Sequence, residues 1–200
     1  MTKFRNKYRI ESSRLKDYDY SSDGAYFITI CTKDREHFFG EIVDEKMQET
    51  EQSKICMACW LDLPNHYPNC ILDEFIIMPN HVHGIVVIQN QNTNNNKTKQ
   101  YSVSEIIRGF KTFTARKINY SRCTKGMPFW QSRFHDRIIR NEEELNRIRE
   151  YIFNNVLNWE SDRNNQKNSM GQSAPVETGL PVETGFKPVS TNNEKPVAIF

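Results

Sequence analysis

The sequence predicts an α+β fold, and three observations predict it. Short runs rich in β-branched and aromatic residues alternate with segments whose apolar residues recur every three or four positions. Two of those runs are separated only by Met78-Pro79-Asn80, a link suited to a tight antiparallel hairpin. At 200 residues the chain has room for one compact domain with appendages.

The elements follow in order. Residues 1–20 read as a polar, basic arm. Tyr26-Phe27-Ile28-Thr29-Ile30-Cys31 has strand composition. The apolar spacing predicts a helix over 45–63, which must stop before Pro64. Strands are expected at 70–77 and 81–88, then a low-complexity polar loop at 89–100. Ser102 opens a helix over 103–119, to which Ile106, Ile107, Phe110, Phe113 and Ile118 contribute apolar contacts. A fourth strand fits 134–140. Asn141 then caps a last helix, with Glu144 completing a capping box and Leu145, Ile148, Ile152, Val156 and Trp159 forming its buried stripe. Trp159 is the last expected core residue, so the domain spans 21–159. Residues 160–200, with Pro-Val-Glu-Thr-Gly repeated at 175 and 181, read as a disordered tail. Strand, helix, strand, strand, helix, strand, helix is the order of a ferredoxin-like split βαβ core, an antiparallel sheet with helices packed on it. That plan hosts many functions and selects none.

Charge narrows the field. The 27 basic and 25 acidic residues nearly balance, but they segregate. Lys3, Arg5, Lys7, Arg9, Arg14 and Lys16 face only Glu11 in residues 1–16, and nine Lys or Arg face Glu105 and Asp136 in 101–140. Such a distribution can present a positive side to a polyanion. The five cysteines are odd in number, no secretory signal precedes them, and no run approaches the ~20 apolar residues of a membrane helix. These features fit a cytoplasmic protein. Cys56 and Cys59 lack a second pair for zinc and sit in a helical pattern, which favours packing.

His81 and His83 are two apart on an expected strand, so both rings project from one face together with Ile85 and Val87. Two neutral imidazoles so placed can chelate a divalent cation. They also fit ordinary hydrogen bonds at a strand end, and the pair alone does not choose. Tyr151 and Asn155 lie one turn apart on the last helix, at the shoulder of its apolar stripe, where side chains can look into a cleft against the sheet.

Four segments carry a family resemblance over 9–159: Gly24-Ala25-Tyr26-Phe27-Ile28-Thr29-Ile30-Cys31-Thr32, Ile77-Met78-Pro79-Asn80-His81-Val82-His83-Gly84, Phe129-Trp130-Gln131-Ser132-Arg133-Phe134-His135-Asp136-Arg137 and Tyr151-Ile152-Phe153-Asn154-Asn155. In this order they resemble the single-tyrosine transposases of the His-hydrophobic-His endonuclease superfamily, most closely the REP-associated tyrosine transposases. The resemblance implies that His81 and His83 bind a metal, that Asn155 is a third ligand of amide type, and that Tyr151 is the nucleophile forming a 5′-phosphotyrosine. Val156 departs from the proline common after the asparagine in such relatives. Mixed nitrogen and oxygen ligation suits Mg²⁺ or Mn²⁺. The implied substrate is single-stranded or hairpin DNA, handled by a monomer or homodimer.

Arg108, Lys111, Arg116, Lys117, Arg133, Arg137 and Arg140 are candidate DNA contacts. Phe129 and Trp130 can stack on bases or pack in the core. His135 and Asp136 match a recurrent pair, read as structural or DNA-contacting. Two other functions suit the residues: a non-catalytic nucleic-acid-binding module, and a metal phosphodiesterase that activates water while Tyr151 merely packs.

Overall fold

The computed structural model describes residues 18–90 and 99–165, with the backbone of two short antiparallel strands, β1 (Lys3–Phe4) and β2 (Lys7–Tyr8). Most of the expected arm, the centre of the polar loop and the tail beyond 165 lie outside the described residues. The strand-like run at 24–31 becomes β3 (Gly24–Cys31), buried along its whole length. Next come a small hairpin, β4 (Gly40–Val43) and β5 (Lys46–Glu49), and the helices α1 (Glu51–Leu61) and α2 (Leu63–His66). The long hairpin β6 (Cys70–Met78) and β7 (His81–Ile88) precedes α3 (Val103–Ser121), β8 (His135–Ile139) and α4 (Glu142–Phe153).

The main sheet runs β6-β7-β3-β8 with every neighbouring pair antiparallel, the order expected of a split βαβ core. Its two faces are closed by different helices. Tyr26, Ile28, Ile30, Val82, Val86 and Ile88 pack with Trp60 of α1 and with Ile106, Ile107, Phe110 and Ile118 of α3. The alternate residues Ala25, Phe27, Ile85 and Val87 pack with Leu145, Ile148 and Ile152 of α4. Helix α4 is also tied to both edge strands by charge. Arg149 forks onto Asp73 of β6 at 2.8 and 2.5 Å, and Arg137 of β8 meets the buried carboxylate of Glu144 at 2.6 Å.

Four expectations are corrected. The helix drawn over 45–63 begins only at Glu51, because Asp44 and Glu45, at φ of 49° and 58°, turn the chain back as a hairpin and Thr50 caps the helix through Ser53 N–H. As expected, α1 stops before Pro64, at Leu61; Pro64 itself lies in the first turn of α2, where its missing N–H costs nothing. The last helix ends at Phe153, not Trp159, and the chain continues through turns into a 3₁₀ segment at Trp159–Ser161. Asn141 does cap α4, accepting from Glu144 N–H at 2.8 Å, while the Glu144 carboxylate accepts from Arg140 N–H at 2.9 Å, one residue earlier than a capping box requires. Residues beyond Trp159 also pack: Asn164 and Asn165 are buried, extending the domain past its expected limit.

One glycine fixes the register beside the histidines. A Cβ on Gly84 would stand 2.4 Å from Cζ2 and 2.9 Å from Cη2 of the fully buried Trp60. Trp60 is itself wedged edge-on against Phe110 at 5.2 Å. Overpacking of this kind costs about 1–3 kcal/mol, so Gly84→Ala should lose that much in a denaturant titration. A loss under about 0.5 kcal/mol would show that Trp60 moves aside freely.

Candidate active site

The chemistry-bearing residues gather on the face that α4 covers. In β7, His81 and His83 share that face, their ring centroids 4.4 Å apart. The fully buried Asn80 sets the state of His81. Its amide nitrogen donates to the carbonyls of Asn164 at 2.7 Å and Arg35 at 3.2 Å, so its oxygen is the atom 2.8 Å from His81 Nδ1. Nδ1 must then carry the proton, leaving Nε2 a lone pair. His83 Nδ1 lies 2.9 Å from the hydroxyl of Thr29, its cross-strand partner. With that hydroxyl accepting, His83 Nε2 also keeps a lone pair. The Tyr151 hydroxyl lies 3.4 Å from this nitrogen, a long hydrogen bond. Phe27 stacks on His83 at 5.2 Å and meets Tyr151 edge-on at 6.0 Å, fixing both rings.

Asn155 follows the end of α4, and the turn there still buries it. Its amide lies close enough to His81 and Tyr151 to act on the protonation of both. Sequence reasoning missed Asp162. It lies just past the Trp159–Ser161 segment with its side chain only 6% exposed, and its Oδ2 is 3.9 Å from His81 Nε2. Backbone and amide contacts hold it there: Arg35 donates to the carbonyl of Arg163 at 2.8 Å, Asn80 to that of Asn164, and Asn164 N–H to Asp162 at 2.6 Å. No apolar periodicity marks this segment. The only sequence signal was an acidic residue within a few positions of the last core tryptophan.

Burial governs the protonation states. It drives the His81 pKa down to about 3, with Arg35 adding to the effect and the Asn155 amide opposing it. Burial, then the neighbouring His81, holds His83 well below 6.5. Both rings are therefore neutral, the form that binds metals. Burial and the Asp162 carboxylate push Tyr151 up to about 12, so at neutral pH it is a phenol.

The residues fit a divalent cation. His81 Nε2 and Asn155 Oδ1 are buried with no hydrogen-bond partner among the described residues, a costly arrangement unless something else engages them. His81, His83 and Asp162 can each present one ligand atom with all three within 4.8 Å of one another. Two imidazole nitrogens beside amide and carboxylate oxygens form a mixed donor set.

The seven cations expected to contact DNA do not form one patch. Arg108, Lys111, Arg116 and Lys117 are on α3, across the sheet from Tyr151. Lys117 acts on Asp62 at the end of α1, and Arg137 is committed to Glu144. Arg133 and Arg140 flank β8 and are exposed. Phe129 and Trp130 are 2% and 7% exposed, so they serve the core rather than open stacking. His135 sits opposite Thr29, whose other neighbour is His83, while Asp136 is paired with Ile28. No helix among the described residues is long and apolar enough to cross a membrane.

Comparison with known proteins identifies the family to which this sheet, histidine pair and helix belong. Residues 20–155 match the family model described as "Transposase IS200 like". The chain belongs to the IS200-like transposase family. An uncharacterized protein of Haemophilus influenzae is 37% identical over 168 residues, which cover 76% of this chain and 91% of that protein. In fold the chain is similar to a REP-associated tyrosine transposase solved with a REP hairpin, at TM-score 0.51 and 19% identity over 74% of each chain. A Deinococcus radiodurans structure described as a candidate transposase gives TM-score 0.41 and 18% identity, covering 72% of this chain and 97% of that one.

The depressed histidine pKa values predict how Mn²⁺ binding depends on pH. Protons compete for a ligand only near or below its pKa, so calorimetric affinity should stay nearly flat from pH 7.5 to 5.5. Histidines at the ordinary value of about 6.5 would instead give a steep decline over that range. Asp162→Asn should weaken Mn²⁺ by about tenfold, and an unchanged affinity would remove Asp162 from the site.

Proposed function

We propose that the chain nicks and rejoins single-stranded DNA through a covalent 5′-phosphotyrosine at Tyr151, with hairpin DNA as substrate. One observation carries this reading: the Tyr151 hydroxyl stands 3.4 Å from Nε2 of His83 in the same chain, beside a buried nitrogen of His81 and oxygen of Asn155 that lack hydrogen-bond partners among the described residues. A packed tyrosine on a mere binding module gives no reason for that arrangement.

A divalent cation, Mg²⁺ or Mn²⁺, held by His81, His83 and Asn155 with Asp162 beside it, would draw charge from a phosphate oxygen and acidify the phenol. The chain supplies the rest. With a pKa near 12, Tyr151 is a weak nucleophile without such help. His83 Nε2 accepts from the phenol only while its lone pair is free; with that nitrogen on a cation, ring contacts with Phe27 and His83 would keep the hydroxyl beside the site. Phe27 and the end of α4 restrict the ring to that approach.

In the transfer, the Tyr151 oxygen bonds to phosphorus as the bond from phosphorus to the 3′ oxygen breaks. The phenolic proton passes to solvent, and the departing oxygen takes one up as a 3′-hydroxyl. Attack on the phosphotyrosine by another 3′-hydroxyl reverses these changes and joins strands without an outside energy source.

Likeness of fold to a transposase solved with a REP hairpin supports a hairpin substrate and a place in the REP-associated branch. Because the tyrosine meets the histidines within one chain, the reading needs no exchange of α4 between subunits and holds for a monomer or a homodimer. The DNA is that of a bacterial cytoplasm, where the free cysteines stay reduced.

Labelled hairpin DNA incubated with Mn²⁺ should give a covalent adduct on a denaturing gel. Tyr151→Phe should abolish both adduct and cutting while leaving DNA affinity within about twofold. Cutting that survives in Tyr151→Phe would point to water as the nucleophile. Binding with no cutting by the unaltered protein would point to a module without catalysis.

A further inference from the structure

A cleft opens on the side of the sheet opposite Tyr151. Helix α3 and the segment 127–134 enclose an open cleft of about 550 Å³, within the range of small-ligand sites. Arg108 and Thr112 line one wall and are exposed there; Met127, 62% exposed, and Phe134 line the other.

The half-buried Lys111 stands between the walls. Its ammonium donates to the carbonyls of Gln131 at 2.7 Å and Ser132 at 3.1 Å, which holds the segment against the helix. No carboxylate pairs with it among the described residues. Glu105, which also borders the cleft, is engaged by Ser102 in the cap of α3, its oxygen accepting from both N–H and hydroxyl at 2.9 Å. Glu105 stays a carboxylate near Arg108, so the two cations Arg108 and Lys111 against this one acid leave the lining a net positive charge, which suits an anion.

This cleft is joined to the active site through the backbone. Gln131 N–H donates to the carbonyl of Cys31 at 3.0 Å, and Lys33 N–H to that of Phe129 at 2.8 Å. Cys31 is the register partner of His81. The wall of the cleft is thus hydrogen-bonded to the strand end beside the histidine.

We propose that this cleft is a subsite for one unpaired nucleotide of the DNA strand, its phosphate between Arg108 and Lys111 and its base against Met127 and Phe134. The proposal rests on the DNA-nicking reading and names where the strand is gripped outside the reacting centre. An unpaired nucleotide supplies both the anion and a flat apolar surface free to stack.

Anisotropy titration with a labelled hairpin carrying a single-stranded flank tests it on the full-length protein. Arg108→Gln removes the exposed cation and Thr112→Glu adds a carboxylate; both positions are exposed, so folding should be retained. Each should weaken binding by about five- to tenfold, and Arg108→Gln should lower the salt slope by about one. At saturating DNA, both should form the Tyr151 adduct as the unaltered protein does. Lys54→Gln on exposed α1 surface serves as the charge control and should bind normally. Variants within twofold of the unaltered protein, with adducts still formed, would overturn the subsite and leave the nicking reading intact. An equal loss in Lys54→Gln would also overturn it, as a diffuse charge effect. Failure of the unaltered protein to bind or join any DNA would remove both.

Discussion

The candidate site depends on a single buried amide. Asn80 occupies the turn between β6 and β7, and its atoms hold three parts of the chain together. Its backbone carbonyl accepts from the N–H of Thr32 at 2.9 Å, which anchors the end of β3. Its side-chain nitrogen holds the segment after Trp159, and its side-chain oxygen fixes the proton on His81 Nδ1. No apolar residue can make these bonds, and aspartate has no N–H to donate to the two carbonyls. The tautomer that frees His81 Nε2 therefore follows from this residue, which also shares with Arg35 the anchoring of the segment that carries Asp162.

The second constraint is the position of α4. A split βαβ core with both crossover helices on one side leaves the other sheet face open. Here α4 covers it, and ion pairs to both edge strands limit its sliding: Arg149 with Asp73 on β6, Arg137 with Glu144 on β8. Burial of Leu145, Ile148 and Ile152 supplies the cohesion between helix and sheet. The same helix carries Tyr151 to His83, so packing and chemistry share one interface. Burial also has a chemical consequence, since it keeps both imidazoles neutral and raises the phenol pKa.

What was legible in the sequence was what local pattern encodes. Alternation placed His81 and His83 on one face of β7, and spacings of three and four placed Ile148 and Ile152 in the core beneath Tyr151. Segments set by positive φ or by long-range hydrogen bonds were not legible. The β4–β5 turn uses Asp44 and Glu45 in left-handed backbone with no glycine to announce it. Asn155 reaches the site from beyond the helix rather than from its last turn, because α4 ends at Phe153. Asp162 is held by amides and carbonyls over 80 residues apart in sequence, a constraint that composition alone does not reveal. The DNA-contact set mixed cations from both faces because charge count carries no information about which side of a sheet a residue occupies.

The central claim is that His81 and His83 together ligate one cation beside Tyr151, and pulsed electron paramagnetic resonance of the Mn²⁺-loaded protein tests it most directly. The account predicts couplings from two imidazole nitrogens, with His81→Gln and His83→Gln each removing one. A Mn²⁺ signal carrying no nitrogen coupling, or one unchanged by either substitution, would contradict it.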